Sequence, residues 1–96
     1  MRNLKHTFSN GDSISIPVVS TVVDAKYFSQ NDWDFWLNLS GEDMVEFFNG
    51  LPNSTDADIV KGMIVNELEF RIQDEVWGED EPEWSDALSE IKEGSN

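Results

Sequence analysis

The chain has 96 residues, 39% of them hydrophobic with six Phe and four Trp, and a formal net charge of −14 with no Cys. That is the length of one domain with apolar mass for one core, which excludes wholesale disorder. The charge excludes ordinary binding to DNA, RNA or an anionic membrane, and the lack of Cys removes disulfides, thiol catalysis and zinc–thiolate centres. A reducing cytoplasm suits such a composition. The opening Met1-Arg2-Asn3-Leu4-Lys5-His6 leads into no apolar run of signal-peptide or membrane-span length.

Taken in order, Leu4–Phe8 and Ser13–Val19 flank Ser9-Asn10-Gly11-Asp12, and Asn-Gly between alternating runs predicts a hairpin. Ile14, Ile16 and Val18 would share one face, with Ser13, Ser15 and Pro17 on the other. Pro17 donates nothing to a ladder, so its strand is expected at an edge or to end early. His6, the only histidine, reads as an ordinary strand residue. Residues 20–30 fit either strand, through Val22-Val23, or a short helical turn after Asp24. Trp33, Phe35, Leu37 and Leu39 alternate with Asp34, Trp36 and Asn38, which predicts a third strand over 33–39 with Trp36 on its polar face, either covered by a helix or exposed as a contact residue.

Ser40 then reads as the N-cap of a helix with Glu42 and Asp43 in its first turn, apolar at Met44, Val45, Phe47 and Phe48, and stopped by Asn49-Gly50 and Pro52. Ser54-Thr55-Asp56 opens the next helix. Its stripe Val60, Ile64, Leu68, Ile72 and Val76 predicts about twenty residues, although Val65, Leu68, Phe70 and Ile72 also tolerate a strand in the second half. After a break over Gly78–Pro82, Pro82 fits the first position of a last helix with Trp84, Ala87, Leu88 and Ile91 inward. The expected fold is a single α+β domain over 1–96, a three-stranded antiparallel sheet with two or three helices on one face.

Catalytic patterns are missing. There is no G-x-S-x-G, P-loop or dinucleotide fingerprint, and one His without Cys cannot assemble a triad or most transition-metal sites. Asp56, Asp58 and Glu67 match three positions of a calcium loop, but Lys61 stands where Gly is required. No enzyme activity, cofactor or metal is expected.

The distribution of charge carries the functional reading. Residues 67–93 hold eleven acids and two bases, Arg71 and Lys92, against nine acids and four bases in the preceding 66. As one helix this stretch would place an acid every ~3.7 Å, close to the ~3.4 Å phosphate spacing of one DNA strand. Like charges within a Debye length of about 8 Å repel and lower stability, so a face with so few bases points to a use in binding. In size and charge the chain resembles small acidic phage proteins that block restriction or CRISPR nucleases, and immunity proteins that neutralise nuclease toxins.

That resemblance implies a non-enzymatic inhibitor, DNA-mimic in character, that binds a protein with a basic, nucleic-acid-binding surface. Asp74, Glu75, Glu79, Asp80, Glu81, Glu83 and Asp86 are the expected contact carboxylates, with Trp77 as apolar anchor. The alternative is an acidic adaptor or assembly protein, including a homodimer, that uses Trp33, Trp36, Phe47 and Phe48 as an apolar interface.

Overall fold

A computed structural model of the chain describes residues 2–75 and 83–94. Strand β1 (Arg2–Thr7) pairs antiparallel with β2 (Ser13–Val19), and β2 pairs antiparallel with β3 (Val22–Val23), in the sheet order β1-β2-β3. Helices follow: a 3₁₀ turn at Ala25–Tyr27, then α1 (Gln30–Leu37), α2 (Gly41–Gly50), α3 (Thr55–Glu75) and α4 (Glu83–Gly94). The α+β class with a three-stranded antiparallel sheet is therefore as the sequence predicts. No described helix is long and apolar enough to cross a membrane.

The hairpin forms where Asn-Gly marks it. Only Gly11 takes positive φ (95°), while Asn10 works through its side chain, whose Oδ1 accepts from the Asp12 N–H at 2.9 Å. The Phe8 N–H donates to Asp12 O at 2.7 Å and closes the loop. Pro17 corrects one expectation. It lies opposite Asn3 in the central strand and is buried, not in an edge strand. It is tolerated there because β3 pairs only with Val18 and Val19, so Pro17 is outside the ladder on that side.

The third strand is the main correction. Residues 33–39 are not a strand; Val22–Val23 supplies β3, joined to β2 through Ser20 in positive φ (58°), and Gln30–Leu37 is helical. Ser29 caps α1, its Oγ accepting from the Asp32 N–H at 3.1 Å while donating to Asp32 Oδ2 at 2.7 Å. Gln30 and Asp34 pair one turn apart. Local caps thus override an apparent alternation over a short aromatic run, which fits either period. Trp36 is buried, at 3% exposure, because it is the inward residue of a helix, while Leu37 stays half exposed.

One core joins the inner face of β2 (Ile14, Ile16, Val18) to Trp36, Met44, Phe47, the α3 stripe Ala57-Val60-Ile64-Leu68, and Ala87, Leu88 and Ile91 of α4. Ser54 caps α3 by accepting from the Ala57 N–H at 3.1 Å, and the helical reading holds to Glu75. Phe8 meets Phe35 and Phe47 at ring separations of 5.6 and 5.7 Å and ties the hairpin to α1 and α2.

Arg71 locks the helices together. Its guanidinium donates to Glu67 Oε1 at 2.9 Å, to Leu39 O at 3.1 Å and to Trp36 O at 3.1 Å, and lies 4.6 Å from the centre of the Trp84 ring. Trp36 O, which also accepts from the Leu39 N–H at 3.3 Å, lies in the last turn of α1 and Leu39 O just beyond it, where the dipole favours a cation. The side chain is only 11% exposed, so its removal leaves Leu39 O and Glu67 without the donor they share. Arg71→Met should therefore lower unfolding free energy by about 3 kcal/mol in urea titration, far more than loss of an exposed ion pair.

Candidate interaction surface: an acidic cleft between α2 and α4

The N-terminus of α2 is built by Ser40, whose Oγ accepts from the Asp43 N–H at 3.1 Å, and by Asp43, which returns the bond to the Ser40 N–H. The next free N–H, that of Gly41, donates to Glu83 Oε1 at 2.6 Å. Glu83 thus brings the first turn of α4 against the positive end of α2. The approach is close: a Cβ at Gly41 would stand 2.8 Å from Glu83 Cγ and 3.0 Å from Glu83 O, which only glycine avoids.

Beside this joint lies a cleft of about 710 Å³ lined by Glu42, Val45, Glu83, Asp86, Ala87 and Glu90 among others, with four carboxylates and no base. Glu83, Asp86, Glu90 and Glu93 fall at spacings of three and four along α4 and so share one side of it, next to the inward face made by Trp84, Ala87, Leu88 and Ile91. Glu42, Asp86 and Glu90 make no ion pair among the described residues. Four of the six bases are engaged elsewhere: Arg2 with Asp56 at 2.9 Å, Lys26 with Asp24 at 3.7 Å, Lys61 over the Phe48 ring at 5.6 Å, and Arg71 with Glu67. An array of carboxylates on two packed helices can accept hydrogen bonds and charge from ammonium and guanidinium groups. Among the described residues no group of three His, Asp or Glu is arranged to hold a metal ion.

Of the residues expected from sequence to carry contact, Asp86 lines the cleft, and Glu83 lines it while also holding the α2 N-terminus. Trp77, Glu79, Asp80 and Glu81, and the side chains of Asp74 and Glu75, lie outside the described residues. Glu42 and Glu90 were not singled out by the sequence. The i, i+3, i+7 spacing of Glu83, Asp86 and Glu90 was the available signal for Glu90, whereas nothing local links Glu42 to α4. The aromatic band does not form an exposed patch. Phe47 is fully buried, Trp36 nearly so, Trp33 packs on Phe28 at 5.4 Å, and Phe48 is half-buried beneath Lys61.

His6 is more than a strand residue. It stacks on Phe47 at 4.9 Å and meets Phe8 edge-on at 4.7 Å, with room for its ring because Gly50 lacks a Cβ that would come within 2.6 Å. Its Nε2 is buried without a hydrogen-bond partner. Burial pushes the imidazole below its ordinary value of 6.5, against the pull of nearby Glu46. Glu46 is itself lowered, chiefly by hydrogen bonds from Ser9, whose N–H donates at 2.9 Å. No family model, curated protein or solved structure matches the chain.

Two outcomes test this geometry. Glu83→Ala should lower stability by about 1 kcal/mol through loss of the α2 cap, whereas Asp86→Asn with Glu90→Gln should be neutral or slightly stabilising in thermal melts because repulsion falls. A depressed His6 binds its proton more readily in the unfolded chain, so its contribution is complete above pH 6.5 and is lost as pH falls through its lower folded value. The melting temperature should accordingly drop on acidification below 6.5, before the carboxylates titrate, and His6→Gln should flatten that slope.

Proposed function

We propose that the protein is a non-enzymatic acidic inhibitor that docks its carboxylates on the basic, nucleic-acid-binding surface of a target enzyme. The observation that supports this most directly is the α2–α4 cleft, where Glu42, Glu83, Asp86 and Glu90 stand together with no base among the lining residues. Such an array in a chain of net charge −14 attracts and orients a partner rich in Lys and Arg, and repels polyanions. In this reading the acids over 74–81 add to the negative charge offered to the partner, and Trp77 is the expected apolar anchor.

Rim carboxylates act mainly on the rate of encounter. Affinity capture with the intact chain at low salt, followed by identification of the bound proteins, should enrich enzymes that handle nucleic acid, and duplex DNA should compete for them. Complexes should weaken steeply between about 0.05 and 0.3 M salt, and the paired Asp86→Asn, Glu90→Gln change should slow association about threefold to tenfold without altering the fold. Partners without a basic surface, or capture indifferent to salt, would reject the proposal.

A further inference from the structure

Helix α3 carries apolar residues on two sides. Ala57, Val60, Ile64 and Leu68 face the core, while Ile59, Met63 and Phe70 turn toward β3 and border a shallow groove of about 660 Å³. Phe70 at its wall is 64% exposed and Val22 of β3 is 57% exposed. Gly62 lies in the same lining, in the interior of a 21-residue helix, where glycine is about 0.5–1 kcal/mol less favourable than alanine. Gly41 and Gly50 are each pressed by a neighbouring side chain, but a Cβ added at Gly62 would meet nothing within 4 Å. Nothing within the described fold requires glycine there.

The groove is also poor in free charge. Its lining holds two carboxylates, and Glu67 is already paired with Arg71, leaving Asp58 with no ion pair among the described residues. One bare carboxylate gives little attraction for a basic partner, which the α2–α4 cleft serves better. An isologous contact has the opposite requirement, since each patch meets its own image and any net charge on it repels itself. We infer that this face pairs with the same face of a second copy of the chain, α3 crossing α3 at Gly62, with Phe70 of each chain packed against the apolar wall of the other. Absence of a side chain at the crossing lets the two backbones approach closely. Ten lining residues a side is below the roughly 20–30 of a standard interface, so the dimer is weak and reversible.

Sedimentation velocity on the full chain tests this, at concentrations from about 10 µM to 1 mM and at about 0.05 and 0.5 M salt. The mass should rise from 10.9 kDa towards twice that value, and more readily at high salt, because screening relieves repulsion between two chains of −14. Salt thus strengthens this contact, although it weakens docking on a basic surface. Phe70→Glu should weaken dimerisation about tenfold or more with an unchanged circular dichroism spectrum, and Asp86→Asn with Glu90→Gln should not weaken it. Gly62→Ala should raise the melting temperature of the dilute monomer yet weaken the dimer several-fold, a pairing that a purely structural glycine would not produce. A chain that stays monomeric throughout, a dimer dissolved by salt, or a dimer indifferent to either substitution would overturn the inference.

Discussion

The helical half of the molecule is organised around one short joint, Leu39–Gly41 between α1 and α2. Its carbonyl side is held by the Arg71 guanidinium on Trp36 O and Leu39 O, and its amide side by the Glu83 carboxylate on the Gly41 N–H. A cation at the end of one helix and an anion at the start of the next complement both dipoles, and Glu83 takes up the Gly41 N–H that α2 leaves unpaired. The two charges come from α3 and α4, so the same contacts that finish α1 and α2 dock the remaining helices. Trp84 over Arg71 adds an aromatic cover to the joint.

This arrangement bears on how a chain of −14 stays folded. Arg71, the most buried base of the three described ion pairs, sits where several acceptors converge. Arg2 acts similarly at the sheet, pairing with Asp56 and donating to Ser20 O at 2.7 Å across the positive-φ turn. These two arginines connect separate elements, whereas Lys5, Lys26 and Lys92 stand exposed on the surface. The side of α4 that faces the cleft is left with Asp86 and Glu90 uncompensated, and the repulsion there is the structural basis for the binding proposal.

Much of the fold was legible because local chemistry and burial agreed. Asn10-Gly11 marked the hairpin, Ser40 and Asp43 the start of α2, Ser54 and the four-residue stripe α3, and the Trp84–Ile91 pattern α4. The segment 33–39 misled because four alternating apolar residues also satisfy a helix that buries Trp36 and leaves Leu37 outside. The capping pattern Ser29…Asp32 was present, and it outweighed the alternation. Of the site, the acidity of α4 could be read directly, but the role of Glu83 as a cap for a helix 42 positions away could not.

Composition and local pattern alone determined the excess of carboxylates, their crowding towards the C-terminal half, the starts of α2 and α3 and the identity of most core residues, because each depends on residue type or short-range spacing. Which acids stand unpaired, which base is buried, and that Glu42 joins Asp86 and Glu90 in one cleft were decided only by tertiary structure. Those properties belong to pairs of elements far apart in the chain, and packing alone sets the distances between them.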